Sequence, residues 1–163
     1  MMTKAEVYSI LAQVPDPEIP VISIEELGIL RDVEIEDITQ TIKVYITPTY
    51  NGCPAMDMIT VNIRAALSEA GISDVEVISL IEPVWTTDWI SESGRQKMLE
   101  YGIAPPVEST TDTSFLSGKT PQVACPQCGS FDTGLISRFG STPCKALYKC
   151  SDCQEPFDYF KCH

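Results

Sequence analysis

Apolar residues recur at helical spacing between Glu6 and Val14, at Val7, Ile10, Leu11 and Val14, and the run stops at Pro15. The following "VPDPEIPV" places Pro15, Pro17 and Pro20 close together, which predicts an extended or turning loop. From Leu30 the period falls to two. Val33 and Ile35 alternate with acids, and Ile42, Val44 and Ile46 alternate with polar groups or Tyr45. These are two strands, and "DITQ" between them predicts a hairpin turn. Helical spacing returns in Met56, Ile59, Ile63, Ala66, Leu67 and Ala70, with Pro54 suited to the first helical position and Gly71 to the residue past the end. "DVEVISLI" predicts a third strand. "TTDWISESGRQKMLEYG" predicts a helix capped by Thr87 or Asp88 and stopped by Gly102, with Gly94 weakening its middle.

Beyond Gly102 the period disappears into "GIAPPVESTTDTSFLSGKTPQVA", a linker by composition. About 40 residues with six cysteines follow. The pattern predicts an α+β chain: a small α-β-β-α-β(-α) domain with a three-stranded sheet over residues 1–104, a linker over 105–120, and a four-cysteine ribbon with two CxxC knuckles over 121–163. In the ribbon, Phe131, Phe139, Tyr148, Phe157, Tyr159 and Phe160 are the expected core.

The chain has 163 residues, room for a small domain and a metal-stapled module. Its N-terminal stretch has no long apolar run or small-residue cleavage site, and no segment is apolar enough to span a bilayer. The expectation is a cytoplasmic protein without membrane contact, where seven cysteines are metal ligands or reactive thiols rather than disulfides. The net charge of −12 is uneven: residues 120–163 hold four acids and four bases, and residues 1–119 hold 19 acids against 7 bases. An acidic body repels phosphate backbones and argues against nucleic acid. It confers solubility first, and suits docking on a basic protein surface second.

The tail carries the sharpest signal. Cys125 and Cys128 form one CxxC, Cys150 and Cys153 another, with 21 residues between. Each CxxC turns as a knuckle aiming two sulfurs at one ion, and four protein ligands close the coordination sphere, as in structural zinc sites. A segment this small needs the metal to fold. Four thiolates also bind iron, as in a rubredoxin-like electron carrier. Cys144, Cys162 and His163 are either a buried residue and a chain end, or a second and weaker metal site.

Cys53 is the one cysteine outside the tail. With Pro54 opening a helix it sits at the cap, where unpaired N–H groups and the helix dipole favour a thiolate. Gly52 leaves room beside it, and Thr47 and Thr49 precede it as hydrogen-bond donors. It is a reactive or metal-accepting thiol, or a buried structural cysteine at a strand–helix joint; spacing does not separate the two. No His–Asp partner pattern supports a nucleophilic enzyme. Asp16 and Glu18 in "DPEIP" are ligands or acid–base groups, or a proline-fixed turn, and alone the turn is the stronger reading.

Taken together, "DPEIPVISIEELGILRDV" and "TPTYNGCPA" resemble the small domain of the iron–sulfur assembly family that includes SufT-like proteins and the cytosolic iron–sulfur targeting factors. "EPVWTTDWISESGRQKMLEYGIAPP" and the tail resemble the narrower PaaD (PaaJ) family, accessory to phenylacetyl-CoA epoxidase in aerobic phenylacetate degradation. The resemblance implies a non-enzymatic maturation factor that helps install an iron–sulfur or iron centre in that complex. Its partners would be the epoxidase subunits, including the iron–sulfur reductase, and the iron–sulfur assembly machinery. By resemblance Cys53 is the key thiol, a transient ligand for iron or a cluster, with Asp16, Glu18, Thr47 and Thr49 nearby, and the ribbon holds structural zinc. The alternative is an integral subunit or rubredoxin-like carrier of the oxygenase. The chain has no Glu-x-x-His pair for di-iron chemistry, no glycine-rich nucleotide loop and no ferredoxin cysteine run. A dimer is compatible with all of this, and nothing in the sequence specifies the oligomeric state.

Overall fold

A computed structural model describes residues 2–50, 52–106 and 122–161. The chain divides into two compact units, Met1–Trp85 and Thr86–His163.

In the first unit, α1 (Lys4–Leu11) begins with a capping box, in which Thr3 and Glu6 satisfy each other's backbone N–H groups. It buries Val7 and Leu11. The helix starts two residues before its apolar spacing predicts and ends about one turn earlier. Val14 lies past its end yet is buried, because the loop that follows is itself packed. Ile19, Ile22, Ile24, Leu27 and Ile29 are each at most 2% exposed, and Pro15 and Ser23 form an antiparallel bridge. The Trp85 indole closes the loop by donating from Nε1 to the Leu27 carbonyl at 2.9 Å.

β1 (Leu30–Ile35) and β2 (Ile42–Ile46) form the expected antiparallel hairpin, with a bulge between Leu30 and Asp32. Helix α2 (Ala55–Glu69) crosses over to β3 (Val75–Ser79), which pairs parallel with β2. The sheet order is β1-β2-β3. Ile59, Ile63 and Leu67 of α2 and Val33, Val44 and Ile46 of the sheet are the buried core, so the period-2 and period-3.6 stripes meet as the sequence pattern requires.

In the second unit a short 3-10 turn, Thr87–Trp89, capped by Thr86, precedes α3 (Glu92–Tyr101). Ser91 caps α3, rather than Thr87 or Asp88; its Oγ accepts from Gly94 N–H. Gly94 is thus part of a capped first turn and not a weak point. Arg95 braces the segment by donating to the carbonyls of Thr87 and Pro106, each at 2.8 Å. β4 (Ile103–Ala104) then pairs parallel with β7 (Pro156–Phe160), and with β6 (Lys145–Cys150) and β5 (Thr133–Ser137) gives a four-stranded sheet ordered β4-β7-β6-β5. Residues 86–104, grouped with the first domain on sequence, therefore lie in the same compact unit as the ribbon. Most of the expected linker falls outside the described residues.

Tyr148, Phe157 and Tyr159 are the ribbon's aromatic core, with ring centroids 5.8 and 5.5 Å apart, and Phe160 is also buried. Phe131 and Phe139 are instead about three-fifths exposed. They sit outside the strands, where no pleat turns them inward. Among the described residues no helix is long and apolar enough to cross a membrane.

Candidate functional site

The two knuckles repeat one backbone design. Cys125 N–H donates to the Ser130 carbonyl at 2.8 Å, and Cys150 N–H donates to the Glu155 carbonyl at 3.0 Å, five residues ahead in each case. Gly129 and Gln154, each just past its second cysteine, take left-handed φ. The knuckles are tied together by a hydrogen bond from Ser130 Oγ to the Asp152 carboxylate and by Ser151 N–H to the Asp132 carbonyl.

The outcome is a thiol quartet. The sulfurs of Cys125, Cys128, Cys150 and Cys153 all lie within 4.8 Å of one another. Cys125 and Cys153 are 3.7 Å apart, and Cys128 and Cys150 3.6 Å. A tetrahedron with metal–sulfur bonds of about 2.3 Å has edges of about 3.8 Å, so the quartet fits one such ion. The chemistry agrees. Backbone N–H groups of Cys153 and Asp152, with the neighbouring thiols, hold the Cys150 thiol down at about 7. Against the pull of the Glu155 N–H, burial and the other three sulfurs push Cys153 up to about 12. Four thiolates cannot crowd together without a cation to neutralise them.

Cys144 is buried on the same unit, its sulfur 3.0 Å from the Thr142 hydroxyl, and is not part of the quartet. Cys162 and His163, its suggested co-ligands, lie outside the described residues.

Cys53 lies in the first unit, in the turn between β2 and α2. Its N–H donates to the Tyr50 carbonyl and its carbonyl accepts from Met56 N–H. Helix α2 starts one residue later than expected: Pro54, with helical dihedrals, is its N-cap, and Cys53 is the residue before the cap. Gly52 has φ of 77° with open space around its Cβ position, so glycine serves the backbone conformation there and not a close approach. Cys53 is 9% exposed. Burial pushes its thiol above the ordinary range and the Glu18 carboxylate adds to this, outweighing the Ala55 N–H and the Tyr50 and Thr49 hydroxyls, which favour the thiolate. The helix terminus acts in the expected direction but loses to burial: the resting group is a protonated thiol.

Glu18 and Thr49 are thus brought to Cys53, and Tyr50 joins them. Spacing does not single out Tyr50, which is one turn residue among several. Asp16 has a structural duty: it is buried and its Oδ1 accepts from Glu18 N–H at 2.9 Å and Ile19 N–H at 2.8 Å. The turn reading of "DPEIP" holds for Asp16, and that turn carries Glu18. Thr47 is 1% exposed, and its hydroxyl oxygen meets no hydrogen-bond partner among the described residues. Such an orphan is expensive in a folded core.

Residues 4–79 match the family model described as an iron–sulfur cluster assembly protein, and residues 109–161 match the PaaD zinc beta ribbon domain. An Escherichia coli (strain K12) protein, named as one of the subunits of a 1,2-phenylacetyl-CoA epoxidase, is 45% identical over 157 residues, covering 96% of this chain and 92% of that one. An iron–sulfur protein maturation auxiliary factor of Porphyromonas gingivalis is 33% identical over 103 residues, covering 63% of this chain and 93% of its own. Among solved structures, a domain of unknown function from Bacillus anthracis superposes with a TM-score of 0.54 at 25% identity, covering 58% of this chain and 90% of its own. With both family models matched in tandem and one relative matched almost end to end, the chain belongs to the PaaD family, an iron–sulfur assembly domain followed by a zinc ribbon.

Proposed function

We propose that this protein is a non-enzymatic maturation factor for an iron–sulfur or iron centre of a phenylacetyl-CoA epoxidase-type complex, with Cys53 as a transient ligand for the cargo. The observation that carries this reading is the buried setting of Cys53, on a domain of the iron–sulfur assembly family. A thiol is buried and kept protonated beside a carboxylate and two hydroxyls. A protonated thiol holds no metal at rest. An arriving ferrous ion displaces the proton, giving a sulfur–iron bond and a released H⁺, and falling pH reverses the exchange. That suits delivery rather than storage. Thr47 supplies a buried hydroxyl without a hydrogen-bond partner among the described residues. The second unit holds zinc as a structural ion, which fits the closed four-thiolate geometry. The partners are the epoxidase subunits, including the iron–sulfur reductase, and the cluster-assembly machinery.

The test is a Cys53→Ala variant that keeps its zinc and fold. It should leave the client complex inactive and poor in iron. Normal client maturation by that variant would rule out the role of Cys53.

The name of the Escherichia coli relative favours a second reading, a resident component or rubredoxin-like carrier of the oxygenase. Metal content and the visible spectrum of anaerobically purified protein separate the two. One colourless zinc per chain supports maturation. Stoichiometric iron with thiolate charge-transfer bands supports the carrier.

A further inference from the structure

The three-stranded sheet has two edges, and they are built differently. On β1 the Asp32 carboxylate takes up the Val33 N–H at 2.7 Å, while Lys4 Nζ at 2.6 Å and the Tyr8 hydroxyl at 3.1 Å close over the same oxygen. The strand is also bulged there. Charged side chains, bulges and covering groups are the devices that stop an edge from recruiting another strand. β3 is less guarded among the described residues: Val75–Ser79 holds no lysine or proline, its one charged side chain is Glu76, and it pairs with β2 in unbroken register.

In a parallel pair, successive residues send their backbone groups to opposite sides. Ile42 N–H donates to the Asp74 carbonyl at 3.0 Å and Leu80 N–H to the Ile46 carbonyl at 2.7 Å, which turns the even-numbered residues toward β2. The N–H and C=O groups of Val75, Val77 and Ser79 therefore face away from the sheet, where no described strand pairs with them. On the core face, Val75 and Val77 align with buried Ile42 and Val44 yet are only half-buried themselves. They form an apolar margin that one more strand would cover. On the other face, Glu34, Lys43 and Glu76 lie in one row across the three strands, so charges alternate negative, positive, negative. A fourth strand would gain from a cation in that row. Just beyond β3, Ile81 and Val84 are 77% and 70% exposed.

We propose that the β3 edge binds an extended segment of a partner protein, with alternating apolar and basic side chains, as a fourth strand. Backbone hydrogen bonds would supply affinity, and the Glu76 row and the Val75–Val77 margin would supply selectivity. A second copy of this chain is the poorer occupant. Residues 72–83 contain no lysine or arginine to meet Glu76, and residues 1–85 carry 14 acids against 4 bases, so two copies repel. The proposal stands apart from any role of Cys53.

The test uses the full chain and an end-blocked peptide of alternating lysine and valine, with an alternating lysine–glycine peptide of equal charge as control. The lysine–valine peptide should shift the amide NMR signals of Val75–Ser79. Val77→Pro, which removes one outward N–H without touching the β2 ladder or the charge, should weaken its binding at least tenfold. Glu76→Lys should do the same, and the control peptide should bind at least tenfold more weakly. Absence of binding, equal affinity for the two peptides, or equal binding by both variants overturns the proposal. So does self-association of the free chain that Val77→Pro abolishes, since that puts a second copy on the edge. If Val77→Pro does not fold, Glu76→Lys and the control peptide decide.

Discussion

Gly129 and Gln154 occupy equivalent places in the two knuckles, one residue past the second cysteine, with left-handed φ of 78° and 65°. The knuckle needs that conformation to bring the next carbonyls back to the first cysteine's N–H. Glycine adopts it freely, and a residue with a Cβ adopts it at a cost of about 1 kcal/mol. Gln154→Gly should therefore stabilise the ribbon by about that amount, and Gly129→Ala should destabilise it similarly. Thermal unfolding of the metal-loaded protein measures both.

The sulfur quartet predicts one metal ion per chain whose loss removes the ribbon's fold. Structural zinc in comparable modules contributes on the order of 10 kcal/mol. A strong chelator, or Cys125→Ser or Cys153→Ser, should abolish the protected amides of β5, β6 and β7. Hydrogen exchange with metal analysis checks this. A ribbon that keeps its protection without metal would show that Tyr148, Phe157 and Tyr159 suffice as a core.

Cys53 should be slow to react. Its folded-state proton is held more tightly than in the unfolded chain, by burial first and by Glu18 in addition. Its contribution to stability is then full below the unfolded thiol's pKa and is lost as pH rises through the higher folded value. Alkylation at pH 8, followed at the Cys53 peptide by mass spectrometry, should be slower in the native than in the denatured chain. Glu18→Gln should speed it, because a raising charge is removed. Faster native than denatured alkylation would mean that the Ala55 N–H and the hydroxyls dominate.

Thr47→Val replaces a buried hydroxyl, unpartnered among the described residues, with a methyl of nearly the same shape. It should leave stability unchanged or raise it by about 1 kcal/mol. If the hydroxyl serves the cargo, the same variant should mature the client poorly. A clear loss of stability would instead reveal an internal partner for that hydroxyl.

The helices, the hairpin and the quartet were legible along the chain because each is written locally. Ile59, Ile63 and Leu67 repeat at helical spacing, Ile42, Val44 and Ile46 at strand spacing, and the CxxC pairs carry their own turn geometry. Ile103–Ala104 could not be seen as a ribbon strand, since two residues have no period. Phe131 and Phe139 could not be told from Phe157 and Phe160, since aromatic type alone does not say which way a side chain faces. Thr49 could be named as a donor for Cys53 from the polar turn before it, but Tyr50 gave no signal beyond its nearness in sequence.

Sequence by itself determined the order of elements, the four thiols that gather at one point, and the place of Cys53 beside a helix start, because these depend on residue type and short-range spacing. Only the tertiary structure decided the burial of Cys53 and Thr47, the turn-holding duty of Asp16 and the β3 edge that no described strand pairs with. Each of these turns on what distant segments bring to one point: how much water is excluded, which charge stands nearby, and which backbone groups are left without a neighbour.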